Sequence, residues 1–156
     1  MTPQDIQKID SVLRHPQLSH RDFREVEVLG NDAFDYIRDL LLKRPKSLIT
    51  INGLKLLVRL ARQIAQDSSG PRLPEVFDAA SIFVTDPDLD VRTTAARMVV
   101  GTLSLLKSLG RGPDAVGGVA RVLIVVRSSL SAEPKEVERG MLKELLADLD
   151  TSSEGP

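Results

Sequence analysis

The chain of 156 residues contains no cysteine, no tryptophan, one tyrosine, four phenylalanines and two histidines. Without cysteine there is no disulfide framework, no thiol nucleophile and no thiolate metal site. Two histidines leave little imidazole for acid–base or metal chemistry, and so few rings give no platform for stacking nucleobases. Charge of one sign is also missing: 22 acidic residues face 21 basic ones, for a net charge of −1. No apolar run reaches the roughly 18 to 20 residues of a membrane span. The longest weakly charged stretch, GPDAVGGVARVLIVVRSSL, is interrupted by Arg121, Arg127 and a glycine pair. The opening residues, MTPQDIQKID, lack the apolar centre of a signal peptide. A cytoplasmic location without membrane insertion is the expectation.

Hydrophobic residues make up 42% of the chain and charged residues 28%, the mixture of a globular protein with a core to bury. Helix signals recur from end to end. Thr2 is placed to cap a helix opening on Pro3, with Ile6, Ile9 and Leu13 as its stripe and His15-Pro16 as its stop. Ser19, with Asp22 three residues on, starts a second helix carrying Phe23, Val26 and Leu29, and Gly30 suits its end. The alternating run REVEVL is too short and too charged to outweigh helix there. Asn31 or Asp32 is the expected cap of a helix through Phe34, Ile37 and Leu41, broken by Arg44-Pro45. Ser47 opens a longer helix, and further ones are expected from Leu73, from Leu89, over 115–129 and over 135–149. The predicted organisation is one all-helical domain over 1–150 and a flexible tail over 151–156.

Three of the longer helices superpose by their apolar positions. Ile49, Gly53, Leu54, Leu57, Val58 and Ala61 correspond, 42 residues on, to Val91, Ala95, Ala96, Val99, Val100 and Leu103. A further 46 residues gives Val137, Met141, Leu142, Leu145, Leu146 and Leu149. The preceding helices align as well, Phe34, Ile37, Leu41 and Leu42 with Val76, Ala79, Phe83 and Val84, and a proline separates each pair at Pro45, Pro87 and Pro134. Amphipathic spacing alone marks any surface helix. A paired-helix period of this length marks a stacked repeat, in which no unit buries its apolar side alone.

The segment DPDLDVRTTAARMVVGTL, Asp86 to Leu103, resembles the inter-helix turn and second helix of a HEAT repeat, through Pro87, Asp90, Val91, Arg92, Ala95 and Ala96. The match is closest there, weaker over Pro45 to Ala65, where Thr50 stands in place of the arginine, and poorest over Glu133 to Leu149, where Glu138 does. The resemblance implies an all-α fold, a short right-handed α-solenoid of about three HEAT-like pairs over 31–66, 73–109 and 114–149, with extra N-terminal helices over 1–30. An irregular helical bundle is the alternative. Asp90 is expected to cap its helix, Ala95 and Ala96 to admit a close neighbour, and Arg92 to bridge to an acidic group in an adjacent turn.

Catalytic and metal motifs are not found. The Asp86, Asp88, Asp90 run has Val91 and Arg97 where a calcium loop needs glycine and glutamate. His15 and His20 have too few neighbours for zinc, and GRGPDAVGG lacks the spacing of a phosphate loop. Charge is distributed more tellingly. Residues 1–37 carry −3, 38–72 carry +6 and 133–156 carry −4. Lys55, Arg59 and Arg62 fall at steps of four and three and so share a helix face. In a solenoid the second helix of each pair lines the binding surface. The expected function is therefore a non-catalytic protein–protein interaction module, an adaptor or regulatory subunit. It would bind an acidic partner through Lys55, Arg59 and Arg62 with Arg92 and Arg97, without cofactor or metal. Removing the first three is expected to weaken binding and barely touch stability. A self-associating structural protein is the alternative, and a nucleic-acid-binding relative of HEAT-like DNA glycosylases a weaker one, given a single tyrosine and no tryptophan.

Overall fold

Thr2 and Ser19 each build the start of a helix in the same reciprocal way. The Thr2 hydroxyl accepts from the Asp5 amide at 3.1 Å, while the Asp5 carboxylate accepts from the Thr2 amide at 3.0 Å. Ser19 and Asp22 repeat the exchange at 3.1 and 2.9 Å. Each box satisfies two amides that a helix start would otherwise leave unpaired. The helices they open are α1, Pro3–Leu13, and α2, His20–Glu27. Then come α3, Gly30–Leu42; α4, Ser47–Asp67; α5, Leu73–Ser81; and α6, Leu89–Ser108. The computed structural model describes residues 1–67, 72–108 and 122, the side chains of 64–67 excepted. Among the described residues every regular element is an α-helix. The expected pair over 114–149 and the tail over 151–156 lie outside them.

The chain divides into two compact units, Met1–Arg72 and Leu73–Pro156. In the first, α4 packs against α1, α2 and α3. Its inner side chains Leu54, Leu57, Leu60 and Ala61 are buried with Ile9, Val12 and Leu13 of α1, Val26 of α2 and Phe34, Ile37 and Leu41 of α3. Full burial of one such aliphatic side chain stabilises by about 1.5 to 3 kcal/mol. Gly53, the one non-apolar member of the repeated pattern, lies at the α3–α4 contact: a β-carbon there would stand 3.0 Å from Leu41 Cδ2 and 3.5 Å from Ile37 Cγ2. Asn52, one residue before it, is buried and donates to the Leu13 and His15 carbonyls, both at 2.8 Å. It satisfies carbonyls released at the end of α1 and ties that end to α4.

Two helix starts differ from expectation. α3 begins at Gly30, with Leu29 as its cap and no side-chain capping bond, so Asn31 and Asp32 fall inside its first turn. Gly30, at φ +57°, lets α2 run into α3 with only Val28 and Leu29 between them. The start of α6 is capped by Asp88 and not by Asp90: Asp88 Oδ1 accepts from the Asp90 and Val91 amides at 2.9 and 3.2 Å. Asp86 supports that turn by accepting from the Asp88 amide at 2.9 Å. In this second unit α5 packs on α6. Leu73, Val76, Phe77 and Ala80 are buried there, as are Val91, Ala95, Ala96, Val99 and Leu103. The helix α5 ends at Ser81, before the expected Phe83, but Phe83 and Val84 stay buried in the turn that follows. Most of the repeated positions thus fall in the core of both helix pairs; Ile49 and Val58 are half-buried and Leu42 is exposed.

Candidate functional site

The outer face of α4 carries Lys55, Arg59 and Arg62, all exposed. At 100° per residue they lie within one narrow stripe, roughly 10 Å long at 1.5 Å per residue. Their inner neighbours at Leu54, Leu56, Leu57, Leu60 and Ala61 are at most 1% exposed, so the helix has one apolar side and one basic side. The three cations are not equivalent. Arg59 Nε donates to Glu27 Oε1 of α2 at 2.8 Å, and its guanidinium lies 5.0 Å from the centre of the Phe23 ring. It clamps α4 to α2. Lys55 and Arg62 form no ion pair among the described residues.

Other bases of the 38–72 segment divide in the same way. Arg72 donates to Asp35 and to Asn31 Oδ1, and sits 4.0 Å from the centre of the Phe34 ring. Arg38 reaches Asp35 at 3.4 Å and Asp39 at 3.3 Å. Lys43, Arg44 and Lys46 are exposed in the turn between α3 and α4. Arg92 and Arg97 belong to the second unit, on α6, and both are half-buried. Among the described residues Arg92 bridges to no carboxylate: its Nη1 donates to the Asp86 carbonyl at 3.0 Å, closing the α5–α6 turn.

Titratable groups sit at helix junctions. His15 Nδ1 lies 3.0 Å from Asp22 Oδ2, which also accepts from the Ser19 amide. That amide first, then His15, holds the Asp22 carboxyl below the usual carboxylate range. An ionised Asp22 only accepts, so the hydrogen of the pair is on His15 Nδ1. Tyr36, half-buried on α3, donates to Asp10 Oδ1 of α1 at 2.7 Å. Burial, then this bond and the Asp10 charge, push the phenol up to about 12. Burial and, secondarily, the charge of Glu75 raise the Asp78 carboxyl. Among the described residues no three His, Asp or Glu side chains are grouped to hold a metal ion. Asn52, Gly53 and the Arg59–Glu27 contact escape sequence reasoning because their partners are far along the chain. A polar residue and a glycine inside an otherwise apolar helical stripe were the available signals.

No family model, no curated protein and no solved structure matches this chain.

Proposed function

We propose that this protein is a non-catalytic interaction module, an adaptor or regulatory subunit built of HEAT-like helix pairs, that binds an acidic segment of a partner protein along the outer face of α4. The observation that carries the reading is the pair Lys55 and Arg62, exposed and without an ion-pair partner among the described residues, on a helix whose opposite side is occupied by the core. Cations held on a rigid helix attract an acidic segment without first breaking internal pairs. Arg59 contributes less to recognition, since binding through it competes with Glu27 and Phe23. The stacking of α3–α4 and α5–α6 as a right-handed solenoid belongs to the same proposal. Its support is the 42-residue register in which the buried positions of the two pairs correspond.

The test uses the full chain as bait in a lysate of its source, beside a Lys55→Ala/Arg62→Ala variant. Arg59 stays intact so that stability is not altered along with charge. A protein retained by the wild type and lost by the variant is the expected result, and that protein should carry an acidic segment sufficient for binding. Identical capture by both forms would remove α4 as the recognition face. Nuclease-sensitive capture would move the reading to nucleic acid.

A further inference from the structure

The connection between α3 and α4 consists of Lys43, Arg44, Pro45 and Lys46. From Leu42 to Leu48 every residue is exposed except Pro45, which is half-buried. Leu42 and Leu48 are 56% and 39% exposed and flank the three cations. No acid occurs between Asp39 and Asp67 in the sequence. Among the described residues none of Lys43, Arg44 and Lys46 forms an ion pair or a side-chain hydrogen bond. The turn is an exposed segment of one charge sign with an aliphatic side chain on either flank.

Helix electrostatics explains only part of this. Lys43 caps α3 at its C-terminal end, where a cation is favoured. Lys46 stands instead before the N-terminus of α4, where a cation is disfavoured and where the first turn has no acidic residue. Arg44 has φ +53°, in the left-handed region, at the position past a helix end that glycine usually fills. Its β-carbon makes that conformation costly. The backbone would be better served by glycine, yet the position presents a guanidinium. Nor does helix electrostatics account for two leucines exposed beside the cations.

We infer that the α3–α4 turn docks this protein on an anionic phospholipid surface. Lys43, Arg44 and Lys46 meet the headgroup phosphates, and Leu42 and Leu48 enter the boundary between headgroups and acyl chains. Lipid is favoured over an acidic protein because the exposed segment pairs cations with exposed leucines: a fluid anionic interface takes both at once, whereas a folded acidic partner needs a shaped recess for each leucine. The contact is peripheral: among the described residues no helix is long and apolar enough to cross a membrane. This surface is separate from Lys55 and Arg62 and stands whether or not they bind a protein.

Cosedimentation of the full chain with phosphatidylcholine vesicles, with and without about one-third phosphatidylserine, tests it. The wild type should sediment with the acidic vesicles and stay in solution with the neutral ones. Each cation removed should lower partitioning about fivefold, and Lys43→Gln/Arg44→Gly/Lys46→Gln about a hundredfold. Leu42→Ser/Leu48→Ser should leave a weaker binding that salt abolishes more readily. Arg44→Gly alone separates lost charge from lost fold, since it should weaken binding about fivefold while the thermal midpoint holds or rises. Lys55→Ala/Arg62→Ala should retain vesicle binding. The inference is overturned if the wild type ignores acidic vesicles, if the triple variant binds them undiminished, or if the Lys55/Arg62 variant alone loses them. Capture of poly-glutamate by the same three cations without vesicle binding would also overturn it, in favour of a protein partner.

Discussion

Tyr36 is the chain's one tyrosine, and no tryptophan obscures its absorbance, so its ionisation can be followed directly. Its folded value of about 12 lies above the ordinary phenol value of 10. A raised value means that the stability of the neutral, hydrogen-bonded phenol is fully present below pH 10. It is lost as the pH climbs toward 12, because the unfolded chain gives up its proton first. The phenolate signal of the native protein is therefore expected to emerge well above pH 10. Tyr36→Phe should flatten the loss of stability over that interval. At Asn52 the relevant force is hydrogen bonding. Asn52→Leu keeps the branched shape of the side chain but removes the amide and leaves its two carbonyl partners, on Leu13 and His15, without their bonds. A loss of about 1 to 3 kcal/mol is expected in urea unfolding, with the end of α1 showing the largest gain in amide exchange. Arg59, expected to bind a partner and to be removable at little cost in stability, has a share in stability through its bond to Glu27 and its place over Phe23.

The helices α1, α2 and α6 start where Thr2, Ser19 and Asp88 supply the missing acceptors, and Pro45 and Pro87 stand in the turns that follow α3 and α5. Asp22 belongs to such a start, and its depressed carboxyl makes the contribution of that cap present above pH 3.8 and lost as the pH falls through the lower folded value. Between elements, closeness decides. Gly53 sits where α3 and α4 approach, and the equivalent position in the second pair is the small, fully buried Ala95. Gly53→Ala gains helix propensity of about 1 kcal/mol against a contact that the flexible end of Leu41 must relieve. Gly53→Val adds two methyl groups at the same contact and should cost about 1 to 3 kcal/mol, measured as a lowered denaturation midpoint at unchanged helix content. A Gly53→Val variant as stable as wild type would show that the two helices have room to separate.

At the scale of the molecule the two compact units differ in charge. Residues 1–72 hold twelve bases and nine acids, net +3, while 73–156 hold nine bases and thirteen acids, net −4. Near-neutrality is thus the sum of a basic unit and an acidic one, and the basic unit carries both surfaces proposed above. Within it, Asn52 with Leu13, Tyr36 with Asp10, Arg59 with Glu27 and Arg72 with Asp35 all join residues of the same unit. Residues 1–72 expressed alone are accordingly expected to be helical and to unfold in one sigmoidal transition by circular dichroism. A fragment ending before Arg72 loses the cation stacked on Phe34 and should melt at lower temperature. A broad, non-cooperative melt of 1–72 would mean that this unit depends on the rest of the chain.

The sequence by itself determined what is local. Apolar spacing along α4 and α6, Thr2 and Ser19 before their helices, and Pro45 and Pro87 between them all act within a few residues. All are legible without coordinates, and the all-helical character of the described residues follows from them. The exposure of Lys55, Arg59 and Arg62 on one face was legible for the same reason, since helical periodicity alone sets it. Only the tertiary structure decided which cations are engaged and which are available. Glu27 meets Arg59 across 32 residues and Asp35 meets Arg72 across 37, and such pairings depend on how helices pack, not on their periodicity. The same holds for Leu42: its spacing places it with the core, yet as the last residue of α3 it is exposed.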